Sequence, residues 1–170
     1  YAKRDYQPIW WQSNPSPGNT FDSVLSFIAS AEQHGLDNQD YELGRLLQLQ
    51  KRDGVDSVSL ESELTVVQSL LMLAKDLRSG RLHASKADPD WHIQQQRFDP
   101  VDYLNEAIRT NQLIPSLAEL PPQTLHYQLL KNALARYRDF EAQQQTWLQI
   151  PESTTIHPQA LHKSIPLVRK

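Results

Sequence analysis

Two histidines and two aspartates lie close together in one polar segment of the chain: His83, Asp88, Asp90 and His92. Imidazole and carboxylate groups are ligands of zinc and iron, and two metal-binding histidines on a helix usually stand three or four residues apart. His83 and His92 are further apart than this, in a segment without helical periodicity. The spacing favours solvated loop side chains, and we predict neither a metal site nor a cofactor.

Acidic residues are frequent enough for a carboxylate pair that could cleave a glycosidic bond. The two acids of such a pair face each other across a cleft, and one of them is held protonated by its surroundings. The sequence places none of the candidates opposite another: Glu61, Glu63, Asp76, Asp88 and Asp90. Glu61 and Glu63 stand at the start of a predicted helix, where acids interact favourably with the helix dipole.

Nucleophiles for covalent catalysis show no supporting motif. The 170 residues include no cysteine, which excludes a thiolate nucleophile, a disulfide and a thiolate zinc site within this chain. The serines of the predicted helices stand in neither a Gly-x-Ser-x-Gly nor a Ser-x-x-Lys motif, and the five glycines never form Gly-x-Gly. We therefore predict that this chain holds no catalytic residues.

Arg78, Arg81 and Trp91 are the candidate binding residues. A guanidinium group can bind a carboxylate through two hydrogen bonds, an indole ring can stack on a sugar or a side chain, and both residue types are enriched at contact hot spots. The alternative is structural: tryptophans beside helices often pack at the edge of the core, and arginines at a helix end complement the dipole.

The overall charge argues against several partners. The formal net charge is −3 and the isoelectric point is about 6.1, so no basic field points to nucleic acid or to an anionic membrane. The longest strongly apolar run, residues 69–74, is far shorter than the roughly 20 residues that span a bilayer, and we predict no transmembrane segment. The polar opening Tyr1-Ala2-Lys3-Arg4 is unlike a signal peptide.

Helical periodicity is clearest in residues 63–81. Apolar residues that recur at steps of three and four mark one buried helical face. Here these residues are Leu64, Val67, Leu71 and Ala74. Arg78 stands in the last turn, where a cation complements the dipole, and Gly80 is predicted to end the helix in the left-handed conformation.

Capping residues and prolines mark the neighbouring helices. The predicted bounds are Asn19 or Thr20 to Gly35; Asp37 or Asn38 to Gly54; Ser57 or Ser59 to Gly80; and Asp99 to about Asn111. A further helix follows Pro121-Pro122. Its apolar residues follow steps of three, four and three, which predicts one face buried along its length. They are Tyr127, Leu130, Leu134 and Tyr137.

These patterns predict an all-α fold, a single helical domain of about six or seven helices, because no strand-like alternation or fixed repeat is present. The helical domain is expected to span residues 1–151. Beyond Pro151 the chain is rich in Ser, Thr, His and Pro, which is typical of a linker. Residues 152–170 are therefore interpreted as a linker and the start of a following domain.

Five separated segments form an ordered pattern. They are Tyr6-Gln7-Pro8-Ile9-Trp10; residues 31–37 with Tyr41; residues 64–81, which end in Asp76-Leu77-Arg78-Ser79-Gly80-Arg81; residues 121–138; and Trp147 with Ile150-Pro151. Together they resemble the N-terminal scaffold domain of long, multidomain bacterial L,D-transpeptidases, enzymes that crosslink peptidoglycan and have a YkuD-type catalytic domain. The segment His157-Pro158-Gln159 departs from the Pro-Gly-Asp turn that opens the peptidoglycan-binding-like domain of that family.

The resemblance implies that this chain is the non-catalytic scaffold domain of a periplasmic enzyme that crosslinks peptidoglycan stem peptides. The family's cysteine nucleophile lies in a His-Gly…Ser-His-Gly-Cys-Arg arrangement, to which nothing in this chain corresponds. The implied partners are the catalytic and peptidoglycan-binding-like domains of the same parent chain, with peptidoglycan or cell-wall synthases as further partners.

Two other functions stay open on the sequence. One is a free-standing helical protein-interaction module, an adaptor. The other is an autonomous enzyme that cleaves glycans, for which the acids named above are the sole support.

Overall fold

The computed structural model describes residues 1–2, 5–10, 21–53, 59–82, 97–143 and 164–168, together with residues 90, 155 and 162. The chain divides into two compact units, Tyr1–Leu134 and Ala135–Lys170. Regular structure in the described ranges is helical, which confirms the predicted all-α fold of about six or seven helices. The predicted domain boundary at residue 151 lies outside the described residues and stays a prediction.

The α-helices are α1 (Phe21–Ala29), α2 (Leu43–Asp53), α3 (Leu60–Ser79), α4 (Pro100–Arg109), α5 (Leu113–Ala118), α6 (Leu125–Ala142) and α7 (Ile165–Val168). Two 3-10 helices, Ser30–His34 and Asn38–Tyr41, connect α1 to α2. None of the helices in the described ranges combines the length and the apolar composition that crossing a bilayer requires.

Helix α3 is central to the first unit, because it packs against α1, α2 and α4. Its buried residues are Ser62, Glu63, Thr65, Val66, Ser69, Leu70, Leu73, Ala74 and Leu77. The predicted buried face is partly wrong: Ala74 is buried, but Leu64 is 48% exposed. The core contacts a stripe centred on Val66, Leu70 and Leu73, and Leu64 lies outside it because each residue advances the helix by about 100°.

Capping chemistry starts two helices as predicted. The Ser59 hydroxyl oxygen accepts a hydrogen bond from the Ser62 N–H at 3.2 Å at the start of α3. At the start of α4, Asp99 Oδ1 accepts from the N–H groups of Val101 and Asp102 at 2.8 and 3.2 Å, and Pro100 occupies the first helical position. Both arrangements satisfy backbone donors that a helix start otherwise leaves without partners.

The helix predicted from Asp37 to Gly54 is divided in the structure. Asp37 caps the 3-10 helix Asn38–Tyr41 by accepting from the Gln39 N–H at 2.9 Å. Glu42 then adopts a left-handed conformation with φ of 51°, and this interrupts the helix before α2. The short helix α5 was not predicted, because its six residues are too few to show a periodic pattern.

The prediction that α6 buries one face along its length is wrong, since this helix has no buried residue. Leu130 is 70% exposed and Tyr137 is 65% exposed, whereas Tyr127 and Leu134 are half-buried. Helix geometry explains this difference in exposure. Residues seven apart nearly align on a helix, so Tyr127 lies above Leu134 and Leu130 above Tyr137, but the two pairs are turned about 60° from each other around the helix axis.

The second unit contains the C-terminal turns of α6 and the short helix α7. Tyr137 and Phe140 form an edge-to-face pair with ring centroids 6.5 Å apart. The N–H of the buried Ser164 donates to His162 Nδ1 at 3.2 Å at the start of α7.

Candidate interaction site at the end of helix α3

Helix α3 ends in a turn that depends on glycine. Gly80 has φ of 75° and ψ of 160°, and its N–H donates to the Asp76 carbonyl at 2.9 Å. The prediction that Gly80 ends the helix in the left-handed conformation is therefore wrong. Its φ is positive, as in that conformation, but its ψ is that of an extended residue. This region of backbone space is open essentially to glycine alone. The turn brings the next residue, Arg81, back beside the 3-10 helix Asn38–Tyr41.

The predicted binding residue Arg81 is engaged within the unit. Its Nη1 lies 2.6 Å from Asp40 Oδ2, and its Nε lies 3.7 Å from Asp76 Oδ2. The hydrogen bond and the charge of Asp40 raise the pKa of Arg81 above its ordinary value. About half of the Arg81 side chain is exposed. Arg81 thus contacts two acids while one side of its guanidinium still faces solvent.

Beneath this ion pair, Tyr41 is fully buried and its hydroxyl donates to Asp76 Oδ2 at 2.8 Å. Burial is the largest cause that raises the pKa of Tyr41, followed by the hydrogen bond to Asp76. A buried hydroxyl needs such a partner to offset its lost hydration. Asp40, Tyr41, Asp76 and Arg81 form what we call the α3-end cluster, which joins the 3-10 helix to α3.

Arg78, the second predicted binding residue, is exposed in the last turn of α3. Its charge acts on Tyr103, whose hydroxyl donates to the Ser116 carbonyl at 2.7 Å. Burial and then Glu119 raise the pKa of Tyr103, whereas the hydrogen bond to Ser116 and, after it, the charge of Arg78 lower it. The structure therefore places Arg78 and Arg81 at the same end of α3.

The third predicted binding residue, Trp91, lies outside the described residues. The same holds for His83, Asp88 and His92 of the polar segment. In the part of the chain that the structure describes, no three His, Cys, Asp or Glu side chains come together as metal ligands.

Glu63 is a site that the sequence interpretation missed. Although it stands in the first turn of α3, the residue is only 1% exposed. Its Oε1 accepts from the Tyr1 hydroxyl at 2.8 Å and from the Ile9 N–H at 2.6 Å, and its Oε2 accepts from the Trp10 N–H at 3.2 Å. One carboxylate thus anchors the aromatic N-terminal segment to α3. No signal in the sequence indicated this burial, because the predicted buried face of α3 included neither Glu63 nor its neighbour one turn along, Val66.

A second missed contact joins His34 to α6. His34 Nδ1 lies 2.7 Å from the Tyr127 hydroxyl, the two rings stack with centroids 5.9 Å apart, and Lys131 Nζ lies 3.5 Å from His34 Nε2. Burial, and after it the Lys131 charge, lowers the pKa of His34. Gly35 follows in the left-handed conformation, with φ of 75°, and closes the 3-10 helix Ser30–His34, whereas the prediction had it end a single helix that began at Asn19 or Thr20.

Residues 1–134 match the family model whose description is Scaffold domain. The chain belongs to this scaffold-domain family. No curated protein and no solved structure matches the chain. The matched residues coincide with the first compact unit, so the α3-end cluster, Glu63 and His34 all lie within the scaffold domain. The chain itself contains no cysteine that could act as a nucleophile.

Within the scaffold domain, polar contacts connect segments that are far apart in the sequence. Glu63 holds the opening aromatic segment, Tyr41 reaches Asp76, and His34 meets Tyr127. The last two contacts each join two segments of the ordered pattern found in the sequence, and Glu63 directly precedes its third segment. The pattern therefore includes residues that hold the helices of this domain together.

Replacing Tyr41 by phenylalanine should lower the free energy of unfolding by about 1 kcal/mol. The ring still fills the core, but Asp76 loses its buried donor. Urea unfolding of the whole chain measures the change, and Tyr6→Phe is the matched control because Tyr6 is 77% exposed. Equal stability of Y41F and the unsubstituted protein would show that this hydroxyl contributes nothing to the cluster.

Proposed function

We propose that this scaffold domain is the non-catalytic part of a periplasmic L,D-transpeptidase that crosslinks peptidoglycan stem peptides. In this role it positions the catalytic and peptidoglycan-binding-like domains of the same parent chain. The catalytic cysteine then lies outside this chain. The family match over residues 1–134 supports the scaffold role, and the five ordered segments support this particular parent.

The observation that carries the proposal is that residues of the five-segment pattern contact one another within the scaffold domain. Asp76 contacts both Tyr41 and Arg81, and Glu63, which directly precedes the third segment, binds the backbone of the opening aromatic segment. These side chains stabilise the arrangement of helices. The resemblance to the scaffold domain of that family therefore includes residues that build the fold of this domain.

The coding sequence of the parent gene is the most direct test. Continuation beyond Lys170 into a domain with the His-Gly…Ser-His-Gly-Cys-Arg arrangement is the expected result. A stop codon directly after Lys170 would overturn the proposal.

In the parent enzyme, Arg78→Gln should reduce peptidoglycan crosslinking at least about threefold, as expected for an arginine that contributes to an interface. Stability should stay unchanged, because Arg78 is exposed. Arg81 is a less suitable probe, since its replacement also breaks the ion pair with Asp40. Arg109→Gln is the matched control: this exposed arginine ends α4 and pairs with Glu106 on its own helix. Crosslinking that is equal in R78Q and the unsubstituted enzyme would remove Arg78 from the interface.

A free-standing adaptor is the second candidate, and one observation favours it. Leu125, Leu129 and Leu130 of α6 are 70%, 55% and 70% exposed. Neighbouring exposed apolar side chains often mark a surface that binds another protein. A parent gene that ends at Lys170 would favour this function. Release of soluble fragments from peptidoglycan by the purified chain would instead favour a glycan-cleaving enzyme.

A further inference from the structure

Helix α6 makes polar contacts with the rest of the first unit at His34. None of its residues is buried, in contrast to the central helix α3. Tyr127 and Lys131, one turn apart on α6, both face the imidazole of His34. The Leu134 side chain lies over Gly35 beside them. The polar contacts of this attachment therefore depend on the protonation state of one ring.

The contacts require a particular form of that ring. The Lys131 ammonium group is a donor and cannot accept, so His34 Nε2 must be the acceptor at this contact. A neutral imidazole then carries its proton on Nδ1 and donates it to the Tyr127 hydroxyl oxygen. The observed arrangement is that of neutral His34. A second proton, on Nε2, would point directly at the ammonium group.

We propose that His34 forms an acid-sensitive contact. At neutral pH this contact holds residues 125–134 of α6 against the rest of the first unit, and protonation of the ring releases them. The groups that face the ring from α6 are the Tyr127 hydroxyl and the Lys131 ammonium group. Protonation replaces an acceptor by a cation and so sets two positive charges against each other across 3.5 Å.

The direction of the pH dependence follows from linkage. Burial and the Lys131 charge lower the pKa of His34 in the folded chain. A released ring regains an ordinary pKa near 6.5 and binds a proton more readily. The stabilising contribution is therefore complete above about pH 6.5 and is lost as the pH falls below that value.

Amide hydrogen exchange of residues 125–134 in the whole chain, corrected for intrinsic rates, tests the proposal. The opening equilibrium constant should rise by up to about tenfold per pH unit below about pH 6.5. In His34→Gln it should become independent of pH, because an amide donates and accepts but does not titrate in this range. His126→Gln, on an exposed histidine of the same helix, should keep the dependence. Opening that is independent of pH in the unsubstituted chain, or still dependent on pH in H34Q, would overturn the proposal.

Lys131→Met provides a second test that does not alter the ring. It keeps an apolar stem of similar length but removes the charge, so the pKa of His34, followed by NMR of the imidazole protons, should rise. An unchanged pKa in K131M would contradict the assigned role of the lysine.

Discussion

Replacing Glu63 by alanine should lower the free energy of unfolding by about 3 kcal/mol, the largest effect we expect from a single polar side chain of this domain. The carboxylate accepts from the N–H groups of Ile9 and Trp10 and from the Tyr1 hydroxyl. Alanine supplies no acceptor, so the N–H groups of Ile9 and Trp10 lose their partner, the first at a partly buried position and the second at a buried one. Such groups cost more when left unpaired than a hydrogen bond contributes when made.

Urea unfolding of the whole chain provides the measurement, and thermal unfolding should show a decrease in midpoint of about 6–12 °C. Glu63→Gln should lie between alanine and the unsubstituted protein. The glutamine amide keeps one acceptor oxygen, but its NH2 group faces the same backbone donors.

Glu61→Ala is the matched control, since Glu61 also stands in the first turn of α3. Its carboxylate is exposed and pairs with Arg45 at 3.2 Å and Arg52 at 2.8 Å. Ion pairs that face solvent contribute little because water and salt screen them. We therefore expect a much smaller change for E61A. Similar losses for E61A and E63A would show that the helix dipole, which both acids share, explains Glu63 and that its buried contacts do not.

Replacing Gly80 by alanine should lower the free energy of unfolding by about 2 kcal/mol. Nothing lies within 4 Å of the position that a Cβ atom would occupy, so there is no steric clash with a neighbour. The cost is in the backbone itself, because φ of 75° with ψ of 160° is disfavoured for any residue with a side chain. Relief of this strain would move Arg81 away from Asp40.

Gly44→Ala is the matched control, and we expect it to change the free energy of unfolding in the opposite direction. Gly44 is also exposed, and a Cβ atom there would likewise meet nothing within 4 Å. It lies in the first turn of α2, where alanine should raise the free energy of unfolding by about 0.5 kcal/mol through lower entropy of the unfolded chain. Urea unfolding of both variants gives the comparison. A stabilising or neutral G80A would contradict the backbone explanation.

The local chemistry of the chain determined the fold class and several helix boundaries. Ser59 and Asp99 begin α3 and α4 as predicted, because a capping side chain bonds to backbone groups only two or three residues away. The requirement for glycine at positions 35 and 80 was also visible, although the conformation at Gly80 differs from the left-handed stop that was predicted.

Contacts between distant segments could not be predicted from such local signals. In the sequence, Glu63 has the position of an ordinary acid that complements the dipole at a helix start. In the structure the opening segment packs against it, and the buried carboxylate accepts hydrogen bonds from the N–H groups of Ile9 and Trp10. In the sequence, His34 stands at a helix end, where a histidine is expected to be solvated. In the structure, Tyr127 of α6 contacts its ring. Their partners stand more than fifty residues away in the chain, so no periodicity links them.

Burial was misjudged where periodicity did not identify which side of a helix meets the core. Leu64 and Leu130 follow helical spacing and yet are exposed, since spacing shows that a helix has an apolar face but not which neighbours cover it. Propensity, caps and turn residues act within a few residues, and they made this chain helical. The packing of distant segments is decided by the free energy of the assembled core, and it alone brought Asp40, Tyr41, Asp76 and Arg81 into one cluster.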